Sequence, residues 1–494
     1  MDYVAELSDM GTILYPYYKG KIRGLEYGTG IWNQSKWRYD PFTGFVVPYK
    51  DSTAFVTYRR GKADVIFNAP DYNVKNINSS IPSRMSEVIT INKEFTLRPI
   101  QKSVLNKILS DKEHNKWFIN LQTGEGKTLL AIILAQMFGY KAFIMCFNTT
   151  ILSQWASNLF NFTTINNKKI LKLTTVDLQK IVQGDPTYEK YDIFMCTPGL
   201  LDRFGKTEKD YSKITKVFDT LGIGLSIYDE AHRNVGQMVK INALTNPKYR
   251  VFLSADFGQG NYEKDTQFKE IFYKTPVLNG IDEESAISMK YTKLVIVEFD
   301  SKPEVFQLKD IFRFIRGKYM YNANNYLEYQ EKKGILNKSV YYVLDSIVNK
   351  DINHKILILY SNVSTVKKVG KYLKEKYPNI NVGSFYGKVS PVERERIKNE
   401  CQIIVATYSS FSTGVDAYNI KYVLSTNQCN RIEDNQSAGR ARPLEDGSDA
   451  VYFMFIDNGF EYCRKKIKER LKYLSVTKSK NSKVYRISYD EGSE

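Results

Sequence analysis

The 494-residue chain is 43% hydrophobic and 25% charged, ordinary values for folded proteins that exclude general disorder and leave room for two or three domains. Its 71 basic side chains exceed the 54 acidic ones, and a net charge of +17 favours a polyanionic partner such as nucleic acid or an anionic surface. Five scattered cysteines without a C-x-x-C pair, and only three histidines, exclude a zinc cluster and suit a reducing interior.

Residues 1–90 are rich in aromatics and turn formers ("YPYYKGKIRGLEYGTGIWNQSKWRYDPFTGFVVPY"). Short strand candidates such as "STAFVTYRR" and "ADVIF" predict a small β-containing domain. Trp32, Trp37, Tyr39 and Arg38 are candidates for stacking bases or wedging a duplex, against the plainer reading of an aromatic core. The polar "NVKNINSSIPSRMS" reads as a linker.

From 91 to 285 apolar runs ("KWFINL", "KAFIMCF", "YDIFMCT", "LGIGLSIY", "YRVFLSA") alternate with helical segments ("PIQKSVLNKILSD", "KTLLAIILAQMFG", "TILSQWASNLFNF"). The same texture returns over 286–475 in "TKLVIVEF", "KILILYS", "VGSFYG", "CQIIVATY", "IKYVLST" and "AVYFMFID", with "STVKKVGKYLKEKY" as a helix. Such alternation predicts two α/β domains in tandem, each a parallel sheet flanked by helices. A basic helix, "CRKKIKERLKYL", leads into a polar tail over 476–494, expected to be frayed.

Two stretches carry chemistry. In "NLQTGEGKT" a strand, a glycine-bearing turn and a helix follow one another, as a phosphate cradle requires. Gly124, Glu125 and Gly126 turn backbone N–H groups inward, Lys127 reaches the β- and γ-phosphates, and the Thr128 hydroxyl ligates Mg2+. Leu121 stands where the strict pattern has glycine. In "LSIYDEAH" a buried strand brings Asp229 and Glu230 to its C-terminal end, Asp229 to hold the Mg2+ shell and Glu230 to orient the attacking water. His232 reads there as a coupling residue rather than a core histidine. ATP with Mg2+ is the expected nucleotide.

In order, "LRPIQ", "LQTGEGKT", "TPGLL", "DEAH", "LSAD", "VATYSSFSTGVD" and "QSAGRAR" resemble the motif series of superfamily 2 helicases of DEAH-box type, from about 95 to 475. "LRPIQ" and "STGVD" are most similar to the phage recombination helicases of the UvsW type, which act on branched DNA. The resemblance implies ATP held between two RecA-like domains, Gln101 reading adenine, Arg440 as an arginine finger framed by Gln436 and Gly439, and Thr413, Gly414 and Asp416 coupling the cleft to the bound strand. It also implies backbone contacts to a nucleic acid from Asn148, Thr149, Thr197, Pro198, Gly199, Ser361 and Thr407; strand-end turn formers are the plainer reading of these residues.

Three positions depart from the family pattern. Asp256 replaces threonine, Gln122 replaces proline, and Pro443 stands where a second arginine is usual, with Arg442 one place early as its substitute. The implied activity is ATP-driven unwinding or remodelling of single-stranded, forked or branched DNA, with little sequence specificity. RNA helicase action remains an alternative, as does a nucleotide-switched binding protein without productive unwinding. No apolar stretch reaches the roughly 18 residues of a membrane span. "MDYVAELSDMG" lacks the regions of a signal peptide, so an intracellular soluble protein is expected, in host cytoplasm if viral. No oligomer is implied.

Overall fold

The computed structural model describes residues 3–8, 10–18, 31–33, 38–40, 45–57, 72–77, 81–92, 95–121, 125–233, 235–255, 268, 271–272, 275–279, 292–302, 311–315, 318–351, 353–411, 419–427, 431–441, 444, 448–477 and 479–489. They fall into two compact units, residues 1–280 and 281–494. Among the described residues, no helix is long and apolar enough to cross a membrane.

The first unit opens with β1 (Tyr3–Leu7), β2 (Thr12–Tyr15), the short hairpin β3 (Ile31–Asn33) with β4 (Arg38–Asp40), β5 (Phe45–Tyr49), β6 (Ser52–Thr57) and β7 (Tyr72–Asn76). Apart from the hairpin these form one sheet in the order β5-β6-β2-β1-β7. Trp32 pairs with Tyr39 in the hairpin register, while Trp37 and the "ADVIF" strand candidate lie outside the described residues. The stretch read as a linker begins instead as β7, which pairs in parallel with β1. Its continuation is laced to the rest of the same unit: Met85 N–H donates to Gly139 O (3.0 Å), Lys141 N–H to Ser83 O (2.9 Å), and Ser86 N–H to Asp192 Oδ1 (2.9 Å).

A second sheet holds β8 (Lys116–Asn120), β9 (Ala142–Met145), β10 (Ile170–Lys172), β11 (Ile193–Cys196), β12 (Leu225–Tyr228), β13 (Tyr249–Ser254) and β14 (Val277–Asn279). All its pairings are parallel, in the order β10-β11-β9-β12-β13-β8-β14. The central strands β9, β11 and β12 are buried at every position, which is why they read as unbroken apolar runs rather than alternating ones. Helix Lys127–Phe138, with Leu130 to Ala135 all buried, fills one face as an apolar rod.

The N-terminal sheet shares its core with the helices of this second sheet. Met10, Ile13, Val47 and Val56 join Leu201, Phe204, Met238 and Val239 in one buried cluster. Two bonds to backbone carbonyls stitch the seam, one from the backbone N–H of Tyr211 to Pro48 O (2.9 Å) and one from the side-chain Nδ2 of Asn246 to Ile77 O (3.1 Å). Gly11 lies so close to helix Val235–Leu244 that a Cβ there would come within 2.6 Å of the Ala243 Cβ.

The second unit contains β15 (Thr292–Phe299), the antiparallel pair β16 (Phe312–Ile315) and β17 (Lys318–Tyr321), β18 (Lys355–Tyr360), β19 (Val382–Phe385), β20 (Ile403–Thr407), β21 (Ile420–Ser425), β22 (Ala450–Asp457) and β23 (Ser479–Ser488). Its parallel sheet runs β19-β20-β18-β21-β22-β15-β23. Counted from the first strand of each parallel sheet, and leaving out the β16–β17 pair, this is the same order as in the first unit. The two units thus repeat one topology that no residue-level repeat reveals. The expected frayed tail is instead edge strand β23, paired with β15, whose Val484 and Ile487 pack inward while Tyr485 stays exposed.

Candidate functional site

The P-loop follows β8 and the "DEAH" turn follows β12, with β13 between them, so both loops rise from the C-terminal edge where parallel sheets bind ligands. Lys127 begins helix Lys127–Phe138; it is buried, and its Nζ donates to Leu121 O at 2.9 Å. Gly126 precedes it with φ at 81°, in the left-handed region, and a Cβ there would sit 2.2 Å from Gln101 Nε2. Glycine is required twice over. With glycine as N-cap, no cap side chain occupies the first-turn N–H groups, and half-buried Thr128 stands beside them. Gln122, Thr123 and Gly124 lie outside the described residues.

Gln101 is buried, and its own chain engages both ends of its amide. Nε2 donates to Gly126 O (3.0 Å), while Oε1 accepts from Arg98 N–H (2.8 Å) in a capping box. The residue read as an adenine contact therefore braces the phosphate loop.

Asp229 continues the β12 pairing, its N–H donating to Met145 O (2.8 Å). Its Oδ1 accepts from Glu230 N–H (2.9 Å) and its Oδ2 from the Trp155 indole N–H (2.7 Å). Burial first, then the neighbouring Glu230 charge, push the Asp229 carboxyl up to about 6, against the pull of Trp155 and Lys127. Glu230 sits in left-handed backbone, φ 51°, a strained conformation of the kind that gathers at functional sites. Its Oε2 is buried and makes no hydrogen bond.

His232 Nδ1 meets Ser254 Oγ at the end of β13 (2.6 Å) and lies 3.4 Å from Glu230 Oε2. That proximity is not an ion pair, because burial, then Arg233 and Lys127, push the imidazole down to about 3 and keep it neutral. Asp256, next to this strand end, lies outside the described residues.

No cluster of three or more His, Cys, Asp or Glu among the described residues could cage a metal. Mg2+ fits this site in its usual manner, through one carboxylate, a hydroxyl and the phosphates of a nucleotide. Two adjacent carboxylates, one with an oxygen left unbonded and the other with a raised pKa, favour such a cation.

The first unit's candidate strand contacts lie on the same edge of its sheet. Asn148 caps helix Thr149–Phe162, its Oδ1 accepting from Ile151 N–H (2.9 Å), and Thr149 is exposed at its first position. Thr197 caps helix Pro198–Thr207 through Leu200 N–H (3.2 Å), with Pro198 buried and Gly199 half-buried. These helices follow the adjacent strands β9 and β11, so their N-termini are neighbours. Asn148 and Thr197 are thus caps whatever else they do.

In the second unit Ser361 follows β18 with a buried, unbonded Oγ, and Thr407 ends β20 donating to Ser410 Oγ (2.8 Å). Gln436 and Arg440 are buried at the end of helix Arg431–Ala438. Arg442, Pro443, Thr413, Gly414 and Asp416 lie outside the described residues.

Sequence reasoning overlooked what holds that last helix. Asp434 and Arg470 are both fully buried and joined by two bonds, Nε–Oδ2 at 2.7 Å and Nη2–Oδ1 at 2.8 Å; Tyr452 OH adds a third at 2.8 Å. Arg470 comes from helix Glu461–Thr477, the basic helix of the sequence reading.

Residues 94–258 match the family model for the type III restriction enzyme res subunit, and residues 339–443 match the helicase conserved C-terminal domain. The chain belongs to the superfamily 2 helicases. One relative is the probable helicase D10 of Escherichia phage T5, 23% identical over 343 residues that cover 67% of this chain and 65% of the phage protein. The chain therefore aligns with slightly under two thirds of that protein's length. Another is the putative helicase 161L of Invertebrate iridescent virus 6, 23% identical over 366 residues, 69% of this chain and 73% of the viral one. Among solved structures, Mss116p bound to single-stranded RNA and AMP-PNP superposes with a TM-score of 0.54 at 18% identity, over 81% of this chain and 76% of that one. The likeness establishes the fold: each parallel sheet with its helices is a RecA-like helicase domain, and a small β-sheet precedes them.

Proposed function

We propose that this helicase-family chain hydrolyses ATP and couples the hydrolysis to movement along DNA, unwinding or remodelling duplex, forked or branched DNA with little regard for sequence. The observation that carries the reading is Glu230, whose buried, unbonded Oε2 lies beside Asp229 on the sheet edge that also bears the Lys127 cradle. A protein that used nucleotide only as a switch has no need of a carboxylate to orient water.

In this reading the backbone of 124–126 and Lys127 hold the phosphates, with Gln101 bracing the loop through Gly126. Mg2+ neutralises phosphate charge when bound, and Thr128 with Asp229 would hold it. Glu230 orients the water, and Arg440 with Arg442 stabilises charge on the transferred phosphoryl. Gln436 frames Arg440, and Thr413, Gly414 and Asp416 couple the nucleotide cleft to the strand. Asn148, Thr149, Thr197, Pro198, Gly199, Ser361 and Thr407 grip sugar and phosphate, so binding weakens with salt and ignores base identity. The net charge of +17 supports a polyanionic track. The phage and virus relatives named as helicases support a viral setting.

ATP turnover measured with single-stranded, forked, four-way and RNA substrates tests the reading. DNA is expected to raise turnover many-fold, Glu230→Gln to bring it to background, and Lys127→Ala to abolish it with strand binding retained. Stimulation by RNA alone would replace DNA with RNA as the track. Background turnover on every substrate would leave only the switch.

A further inference from the structure

Trp155 has no part in the machinery above, yet it touches its central carboxylate. On helix Thr149–Phe162 the buried residues are Ile151, Leu152, Trp155 and Leu159, the stripe that seats the helix on the sheet. Packing alone is served by a leucine or phenylalanine. What tryptophan adds is one N–H, and a buried indole N–H must find an acceptor. Here the acceptor is Asp229 Oδ2 at 2.7 Å, across 74 residues of chain.

The same helix begins with Asn148 as its cap and Thr149 exposed beside it. Six residues of helix, about 9 Å, separate Thr149 from Trp155. The helix is thus a stiff rod with a strand-facing tip at one end and a hydrogen bond to the magnesium carboxylate within its second turn. A shift at the tip is carried along the rod to that bond, because the tip and Trp155 belong to one helix whose Ile151 and Leu152 are locked in the same close-packed core as Trp155, while Ser153 faces solvent.

We propose that Trp155 is a positioning residue that ties strand binding to the nucleotide site: its indole N–H fixes Oδ2 of Asp229, sets which lone pairs of that carboxylate face Mg2+, and moves with the helix tip that grips the strand. The proposal rests on the reading of Asp229 and of residues 148–149 given above. It assigns Trp155 no contact with nucleotide or metal. Partners of this kind, one step behind a metal ligand, tune metal affinity by roughly 10- to 100-fold.

The test separates this proposal from the reading beneath it. Binding of a fluorescent, non-hydrolysable ATP analogue is titrated with Mg2+, with and without a saturating oligonucleotide, and needs no turnover. Trp155→Phe removes the N–H and keeps a ring; replacement of Trp155 by 3-benzothienylalanine keeps the bicyclic shape and lacks the N–H. The expected result in both is an Mg2+ requirement raised about 10-fold, loss of the oligonucleotide's effect on that requirement, and unchanged oligonucleotide affinity. If Trp155→Phe fails to fold, the isosteric variant decides. An unchanged Mg2+ requirement in a folded isosteric variant overturns the proposal, as does an oligonucleotide effect that survives intact. Absence of any Mg2+-dependent analogue binding in the parent protein overturns instead the assignment of Asp229.

Discussion

Asp229 in the first unit and Asp434 in the second are both carboxylates walled in by large side chains, and they are treated in opposite ways. Asp434 is saturated: a guanidinium meets it edge-on through two bonds, a tyrosine hydroxyl supplies a third, and its charge is cancelled where it stands. Asp229 is bonded by an indole N–H and a backbone N–H, both neutral, and its charge is left uncancelled within bonding distance. The raised pKa of Asp229 records that difference. A buried carboxylate that is fully paired holds a fold together, while one left short of positive charge is kept ready for a guest.

The largest expected effect falls on the saturated partner. Arg470→Ala strands Asp434 as an unpaired buried charge, which typically costs about 3–5 kcal/mol. The second unit's unfolding transition is expected to fall steeply in temperature, with the first unit's transition unmoved. Replacing both partners by apolar residues, Arg470→Met with Asp434→Leu, is expected to recover most of the loss, since a paired buried charge gains little over good packing. Differential scanning calorimetry reads both outcomes. A small effect of Arg470→Ala would mean that water reaches Asp434 and that the contrast with Asp229 is false.

The opposite sign is expected at Asp229. An acid whose pKa is higher in the folded than in the unfolded chain adds stability below its unfolded value, about 3.9, and loses it as pH rises through about 6. Above pH 6 the ionised carboxylate therefore costs stability, and Asp229→Asn relieves the cost. The nucleotide-free variant is expected to be more stable by about 3 kcal/mol at pH 8, with the gain fading towards pH 4, while ATP turnover is lost. Urea unfolding at pH 8, 6 and 4 follows this. A loss of stability at pH 8 would place Asp229 among the structural carboxylates.

Neither pairing was legible in the sequence, although much around them was. The strands β8, β9, β11, β12, β13, β15, β18 and β20 to β22 announced themselves as apolar runs, because a parallel sheet buries both faces and leaves no alternation to misread. The placement of Lys127 and Thr128 at a helix N-terminus was legible because the strand-turn-helix signal is local, and that of Asp229 with Glu230 because they follow a buried strand. Strand β23 was hidden in "SKNSKVYRIS": an edge strand needs few inward apolar residues, and its polar face reads as tail.

The N-terminal sheet was legible as a β module and not as part of a shared core, since its seam is made partly of backbone bonds such as Tyr211 N–H to Pro48 O, which no side-chain pattern encodes. Gln101 was read by family role as an adenine contact, and its bond to Gly126 became visible only once the helix and the loop were folded together. Trp155 with Asp229, and Arg470 with Asp434, lie 74 and 36 residues apart, so only the register of the whole fold brings each pair within reach.

The smallest predicted effect is the sharpest form of the comparison, because it deletes one hydrogen bond from each carboxylate. Tyr452→Phe takes one O–H from Asp434, and Trp155→Phe takes one N–H from Asp229. Each loss is worth about 1 kcal/mol of hydrogen bonding, with some further packing loss where a smaller ring replaces indole. Stability therefore separates the two variants poorly. Function is expected to separate them well: Asp434 keeps its guanidinium, and Tyr452→Phe leaves ATP turnover within about twofold of the parent, about 0.4 kcal/mol in the barrier. Asp229 has no second strong donor to fall back on, so the same deletion changes where its lone pairs point. Steady-state turnover against Mg2+ concentration, measured for both variants in parallel, decides the matter, and equal Mg2+ curves would dissolve the distinction between a carboxylate that holds and one that waits.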